Sequence, residues 1–207
     1  MVVITSLMRQ TIVTLDLEGV LVPEIWIAVA EKTGIKALRR TTREEPNYDA
    51  LMRSRLDIMK DNSLKLKDIQ NVIASLSPLE GAKEFLDELR SQTQVVILSD
   101  TFVQFASPLM RQLDWPTIFC NHLEVKGDVV VDYHLRQSDQ KCKSVVALKS
   151  LNYKVIAAGD SYNDTTMLAE ANYGIFFRAP ENIKSEFPEF PAVTEFNELM
   201  LLITDHL

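Results

Sequence analysis

Cysteine is scarce in this sequence: only two of the 207 residues, Cys120 and Cys142, are cysteines. Two thiols give no disulfide framework, and reduced thiols are the usual state in the cytosol, so we expect a cytoplasmic protein. Histidine is scarce as well, with three residues. His122 and His134 form no metal-binding motif with a cysteine or with paired carboxylates, which makes metal binding there a weak interpretation. Surface or interface positions explain these two histidines better.

Long apolar runs and basic clusters are also missing. No stretch approaches the ~20 apolar residues of a membrane span. The first ten residues hold only short apolar patches, so we expect no signal peptide, and Met8 is an alternative to Met1 as the start. The formal net charge is −7, which makes nucleic acid and anionic membranes poor partners. Arg39, Arg40 and Arg43 come closest to a basic cluster, and a solvated helix end explains them more simply.

The remaining composition is that of an ordinary globular protein, with 46% hydrophobic and 25% charged residues. Short buried strands are predicted at 11–15, 94–98, 154–158 and 173–177. Amphipathic helices are predicted between them, and this alternation is typical of a doubly wound α/β fold, a parallel sheet with helices on both faces. Residues 122–135 alternate around Lys126-Gly127-Asp128, which predicts a β-hairpin.

Between about residues 22 and 79 the apolar pattern is helical throughout, and no strand is predicted there. Leu51, Arg55 and Met59 follow one another at a spacing of four, which places them on one helix face. We therefore predict a small helical insert at 22–79 within a core made of residues 1–21 and 80–207.

Polar side chains follow three of the predicted strands: Asp16 with Glu18, then Ser99, then Asp160. The carboxyl ends of parallel strands share one sheet edge, so these groups should converge. Carboxylates gathered in one pocket repel one another, and Mg²⁺ relieves this because it prefers carboxylate, phosphate and water oxygens. We predict a magnesium site at Asp16, Glu18 and Asp160. Asp164 should orient the loop and the metal's ligands rather than bind the ion directly.

Two further side chains suit a phosphate group. Ser99 offers a hydroxyl beside a backbone N–H. Lys141 would lie in the first turn of a helix if Ser138 caps it, and a cation there opposes the helix dipole unless it faces a bound anion. We therefore interpret Lys141 as a phosphate clamp and favour it over Lys143, two residues further on.

These groups together can transfer a phosphoryl group. With its charge masked by a metal and a lysine, the Asp16 carboxylate can attack phosphorus and form an aspartyl phosphate. Glu18 can protonate the leaving alkoxide and then activate the incoming water or alcohol. Two rivals stay open: a receiver-like signalling module that is phosphorylated on an aspartate, and a catalytically silent binding protein of the same fold.

In their order, these motifs resemble those of the haloacid dehalogenase-like phosphohydrolases. That family's Asp-x-Asp-x-Thr/Val motif is matched by residues 16–20, with Glu18 in the second acidic place. Its strand-ending Ser or Thr is matched by Ser99, its lysine by Lys141, and its Gly-Asp-x-x-x-Asp motif by residues 159–164. The resemblance implies a Rossmann-like parallel sheet with an inserted C1-type helical cap.

A closer resemblance links the chain to the phosphoserine phosphatases. Their cap glutamate and arginine, which hold the ammonium and carboxylate of the substrate, are matched by Glu24 and Arg55. Without the resemblance, Arg53 would be an equal candidate. The fourth motif also agrees through Asn163 and Met167.

Residues 16–26 and 159–167 are most similar to the bifunctional phosphoserine phosphatase/homoserine phosphotransferase subgroup. The resemblance implies Mg²⁺-dependent hydrolysis of phosphoserine, with homoserine as a second phosphoryl acceptor. A different small phosphate monoester is the alternative substrate, and the oligomeric state stays open, with a homodimer among the alternatives. The expected substrate contacts are Glu24, Arg55, Ser99, Asp100, Lys141 and Asn163.

Overall fold

The computed structural model describes residues 9–41, 44–45 and 47–207. The predictions that concern Met1, Met8 and Arg43 lie outside the described residues. Seven strands run along the described chain: β1 Thr11–Leu15, β2 Gln94–Phe102, β3 Thr117–Lys126, β4 Val129–His134, β5 Lys154–Gly159, β6 Tyr173–Phe177 and β7 Ala192–Val193. They form one sheet in the order β4-β3-β2-β1-β5-β6-β7.

Helices fill the segments between the strands. The α-helices are α1 Ile25–Thr33, α2 Tyr48–Asp61, α3 Leu66–Ala74, α4 Ala82–Gln92, α5 Val103–Gln112, α6 Gln140–Ser150, α7 Thr165–Glu170, α8 Glu181–Glu186 and α9 Phe196–Thr204. Two 3-10 helices lie at Lys36–Arg39 and Tyr162–Asp164. No helix in the described part of the chain is both long enough and apolar enough to cross a membrane.

The sheet is parallel except at its β3–β4 edge, and it is buried on both faces. Strand β1 lies at its centre and pairs with β2 and β5. Successive side chains of a strand point to opposite faces. Accordingly, Val13 and Leu15 join a core cluster with α4, α5 and α9, whereas Ile12 joins a second one with α6, α7 and α8. The predicted α/β fold with helices on both faces is confirmed.

The β3–β4 hairpin is also confirmed. His122 lies opposite His134 in an antiparallel ladder. At its turn, Gly127 and Asp128 have φ angles of 55° and 70°, as expected for a tight hairpin turn, where glycine and aspartate tolerate positive φ.

Strand β2 differs from the prediction, which ended it at Leu98. It continues through Ser99 and Asp100 to Phe102, and its register against β3 shifts between Leu98 and Phe102. Ser99 therefore lies in an irregular stretch within a strand rather than just after one. Sequence pattern does not reveal this extension, because the partner residues on β3 that hold it are distant in the chain.

The segment 22–79 is helical, and no strand occurs among its described residues. It begins and ends at adjacent points, since the N–H of Leu79 donates to the carbonyl of Leu21 over 2.9 Å. It contacts the β3–β4 hairpin at two points. Nη1 of Arg53 donates to Oδ1 of Asp132 over 2.6 Å, and the N–H of Leu66 donates to the carbonyl of Asp128 over 2.9 Å. Its separate status as a cap stays a prediction.

Candidate active site

The ends of the adjacent strands β1 and β5 bring three carboxylates together. Asp16 follows β1, and its N–H donates to the carbonyl of Ala158 in β5 over 3.0 Å. Asp160 follows β5 directly. One oxygen from each of Asp16, Asp160 and Asp164 lies within 4.8 Å of the others. The predicted meeting of these groups at one sheet edge is therefore present in the structure.

Gly19 allows this close approach. Its φ is +79°, and a Cβ built on it would lie 2.4 Å from Oδ2 of Asp160. Another side chain would meet both a strained backbone and a collision with the acidic cluster. The short turn after β1 therefore packs directly against the turn after β5.

Lys141 lies within the acidic cluster and is only 2% exposed. Its Nζ is 2.9 Å from Oδ1 of Asp16 and 2.7 Å from Oδ1 of Asp164. Burial disfavours the charge of Lys141, but Asp16 and Asp164 outweigh it and raise the lysine pKa well above its usual value. Lys143 instead donates to Ser138 at the surface, over 2.7 Å. The geometry thus favours Lys141 over Lys143 for a buried anion.

The predicted helix cap at Ser138 is wrong. Helix α6 begins at Gln140, and Asp139 is its N-cap residue, with φ of 47° and no side-chain capping bond. The hydroxyl oxygen of Ser138 instead accepts a hydrogen bond from Lys143 at the surface. Lys141 still lies in the first turn of α6, the position on which its interpretation as a phosphate clamp depends.

Asp164 holds the loop that carries Asp160. Its Oδ2 accepts the N–H groups of Asp160, over 2.9 Å, and Ser161, over 3.1 Å. Its Oδ1 accepts from Lys141, so both of its oxygens are occupied. This arrangement supports the expectation that Asp164 orients the loop, and it also explains how Asp164 comes to lie in the cluster.

Glu18 lies beside the acidic cluster rather than in it. Its Oε2 accepts the N–H of Ile25, at the start of α1, over 2.8 Å. Burial, followed by the charge of Glu24, raises the pKa of Glu18 to about 7. A carboxyl group of this pKa can donate a proton near neutral pH. Coordination of the metal by Glu18 stays a prediction, and the observed contacts support its acid–base role better.

Gln140 joins the end of β2 to the site, and sequence reasoning missed it. Its Nε2 donates to the carbonyl of Ser99, over 2.6 Å, and to Oδ1 of Asp100, over 3.0 Å. Asn163 donates to the other oxygen of Asp100 over 2.9 Å. The hydroxyl oxygen of Ser99 accepts the N–H of Thr101 over 3.2 Å, which leaves the hydroxyl hydrogen of Ser99 as a donor. The position of Gln140 next to Lys141 was its only signal in the sequence.

Arg55 forms another wall of the site, with 6% exposure. Its Nη2 donates to the carbonyl of Arg40 over 2.8 Å, whereas its buried Nε has no hydrogen-bond partner among the residues that the structure describes. Burial lowers the pKa of Arg55 to about 10. In the described part of the chain no carboxylate forms an ion pair with it, although Arg53 pairs with Asp132. A buried cation of this kind suits an anionic ligand.

The strand ends that carry the acidic cluster, on one side, and Arg55, on the other, enclose a cavity of about 1240 Å³. The hydroxyl of Tyr48, another residue that sequence reasoning missed, donates to the carbonyl of Asp100 over 3.2 Å and joins α2 to β2. Glu24 is exposed and makes no capping bond to α1. The predicted site residues that line the cavity are Asp16, Glu18, Glu24, Arg55, Ser99, Asp100, Lys141, Asp160 and Asn163. Asp164 lies behind them.

Comparison with known proteins agrees with this arrangement. The family model for haloacid dehalogenase-like hydrolases matches residues 11–172. Phosphoserine phosphatase ThrH of Pseudomonas aeruginosa is 65% identical over 189 residues, which are 91% of this chain and 92% of that protein. A phosphoserine phosphatase of Pseudomonas syringae pv. tomato is 64% identical over 189 residues, covering 91% of this chain and 80% of that protein.

A solved structure agrees at the level of the fold. It is a phospho-aspartyl intermediate analogue of phosphoserine phosphatase, with a TM-score of 0.78 and 21% identity. The match covers 94% of this chain and 99% of that one. All three resemblances that the motifs indicated are confirmed. This chain belongs to the haloacid dehalogenase-like hydrolases and, within them, to the phosphoserine phosphatase family.

Proposed function

We propose that this enzyme is a Mg²⁺-dependent phosphoserine phosphatase that works through an aspartyl phosphate on Asp16. One observation carries the proposal: the acidic cluster with its buried lysine shares a cavity with a buried arginine that forms no ion pair with a carboxylate of residues 9–41, 44–45 or 47–207. The side of the cavity that holds Lys141 and the acidic cluster suits a phosphate group, and the side that holds Arg55 suits a carboxylate. A small phosphorylated amino acid carries both groups.

The donor set fits Mg²⁺. Carboxylate oxygens are the ligands that this ion prefers, and three of them converge here within 4.8 Å. Burial, and then the charge of Asp164, raise the pKa of Asp16 well above its usual value. The second of these causes is a repulsion between carboxylates, which a dication would relieve. Asp16 and Asp160 would hold the ion. When bound, it would neutralise the charge that develops on the phosphoryl oxygens.

The chain's own residues would carry out the transfer in two steps. The carboxylate of Asp16 forms a bond to phosphorus while the bond from phosphorus to the serine oxygen breaks, and Glu18 gives its proton to that oxygen. Glu18 then takes a proton from water, whose oxygen attacks phosphorus and releases phosphate from Asp16. Ser99 and Lys141 hold the phosphoryl oxygens through both steps.

The segment 22–79 would bind the amino-acid end of the substrate. Arg55 would take the substrate carboxylate, with its buried Nε as one of the donors. Glu24 would take the ammonium group, which gives its exposed carboxylate a partner. Asn163 donates a hydrogen bond to Asp100 at the cavity wall. We propose that both residues also contact the substrate.

Phosphate release from phosphoserine, measured with Mg²⁺ and after chelation of Mg²⁺, tests the proposal. We expect turnover with the ion and a loss of at least about a hundred-fold without it, because charge neutralisation at phosphorus is lost. A panel of other phosphate monoesters serves as the comparison. Silence across the whole panel would favour the receiver-like or binding-protein rival, whereas preference for another monoester would change the substrate alone.

Transfer to homoserine is the second candidate activity, and the glutamate at position 18 favours it. Glutamate is one methylene longer than the family's aspartate, so its carboxyl group reaches a different point near phosphorus. We expect Glu18→Asp to change the ratio of phosphohomoserine to free phosphate when homoserine is present. Both products are quantified in one assay, with Glu31→Asp, at an exposed glutamate, as control. Identical ratios in wild type and Glu18→Asp would contradict this role.

Two other expectations remain part of the proposal. A cytoplasmic location agrees with Cys120 and Cys142, which are not joined in a disulfide. A homodimer stays among the alternatives for the assembly state.

A further inference from the structure

We infer that Trp26 positions Arg55 for the substrate carboxylate and thereby sets the preference for phosphate esters that carry one. This inference rests on the proposed function, since it assigns a further residue to the same substrate. The guanidinium carbon of Arg55 lies 4.5 Å from the centre of the Trp26 ring. A cation held over an indole face is stabilised most when both groups are removed from water.

The hydrogen bonds of Arg55 leave its orientation incompletely fixed. One bond goes to the carbonyl of Arg40 over 2.8 Å. A second contact, 3.6 Å long, goes to the sulfur of Met52, and a thioether is a weak acceptor. The Nε finds no hydrogen-bond partner within the described segments. The contact with the Trp26 ring therefore supplies much of what holds the guanidinium group in position.

Trp26 is itself held in place from the core. It is 8% exposed and packs edge-to-face against Phe105 of α5, with 5.4 Å between ring centres. Phe105 packs in the same manner against Phe102, at the end of β2, over 5.7 Å. A chain of aromatic contacts thus runs from the irregular end of β2 to the indole that supports Arg55.

An aromatic face suits this task for a geometric reason. It supports the guanidinium from one side without using any of its N–H groups. Those donors lie at the edges of the plane and stay available for a planar carboxylate. An aliphatic side chain could fill the same volume, but it would provide neither the attraction to the cation nor a flat surface.

The test compares two substrates in Trp26→Leu and Trp26→Phe. Phosphoserine carries a carboxylate, whereas O-phosphoethanolamine has the same phosphate and ammonium groups without it. For Trp26→Leu we expect KM for phosphoserine to rise about ten-fold, with kcat and the KM for phosphoethanolamine nearly unchanged. Trp26→Phe, which keeps an aromatic face, should lie between Trp26→Leu and wild type.

A matched control is Trp115→Leu, because Trp115 is 60% exposed and is absent from the cavity lining. Melting temperatures show which variants keep the fold. If Trp26→Leu raised KM equally for both substrates, or left both KM values unchanged, Trp26 would be a packing residue and the inference would be overturned. If the wild type used both substrates with equal KM, the proposed substrate itself would be wrong, and the inference would be wrong with it.

Discussion

Asp16→Asn is expected to reduce phosphoserine turnover by at least about a thousand-fold, equivalent to ~4 kcal/mol of activation free energy. An amide oxygen is a poor nucleophile, and the amide also loses the ion pair with Lys141. The shape of the side chain is retained, including an oxygen that can accept the N–H of Leu17, which lies 2.7 Å from Oδ1 in the wild type. Steady-state phosphate release measures the effect.

Trapping of the intermediate gives an independent readout. Acid-quenched wild type should carry phosphate that hydroxylamine removes, and Asp16→Asn should carry none. The matched control is Asp57→Asn, which changes an exposed aspartate of α2 and should keep full activity. Full activity, or an unchanged phosphoenzyme, in Asp16→Asn would overturn the proposed mechanism.

Replacement of Lys141 by methionine should have the largest effect on stability. The variant leaves Asp16 and Asp164 without their shared cation, in a site where Lys141 is 2% exposed. Removal of one partner from a buried ion pair costs about 3–5 kcal/mol of the free energy of unfolding. Urea unfolding in the absence of Mg²⁺ measures this loss. Phosphate release should also fall, because the phosphoryl group loses a charge partner.

Lys143→Met is the matched control for that experiment. Lys143 lies two residues away on the same helix, but it bonds to Ser138 at the surface. A surface substitution of this kind changes stability by no more than about 0.5 kcal/mol. Equal losses in the two variants would show that the buried ion pair contributes little.

The central features of the fold were predictable because they depend on local pattern. Apolar runs such as Thr11–Leu15 and Tyr173–Phe177 were predicted as strands and are strands in the structure. The polar residues after β1 and β5 predicted which carboxylates would meet, since parallel strands share one carboxyl edge. The positions of Asp16 and Asp160 follow from this rule, whereas Lys141 was predicted from its place in the first turn of a helix and from the family resemblance.

Features that depend on distant parts of the chain were not predictable. The contact of Tyr48 with the carbonyl of Asp100, and the support of Arg55 by Trp26, join side chains that no local period connects. The elements beyond residue 177 were also missed. Strand β7 has only two residues, too few for a periodic signal, whereas α9 does carry an apolar stripe of Phe196, Leu199 and Ile203 that was overlooked.

The contact between Gly19 and the carboxylate of Asp160 has a consequence for how an ion is recognised. The missing side chain at Gly19 leaves room for this carboxylate, because a Cβ there would lie 2.4 Å from its Oδ2. A larger residue at position 19 would push the Asp160 carboxylate out of its position beside Asp16. Because Mg²⁺ demands near-ideal octahedral geometry, an ion held by Asp16 and Asp160 would depend on glycine at position 19.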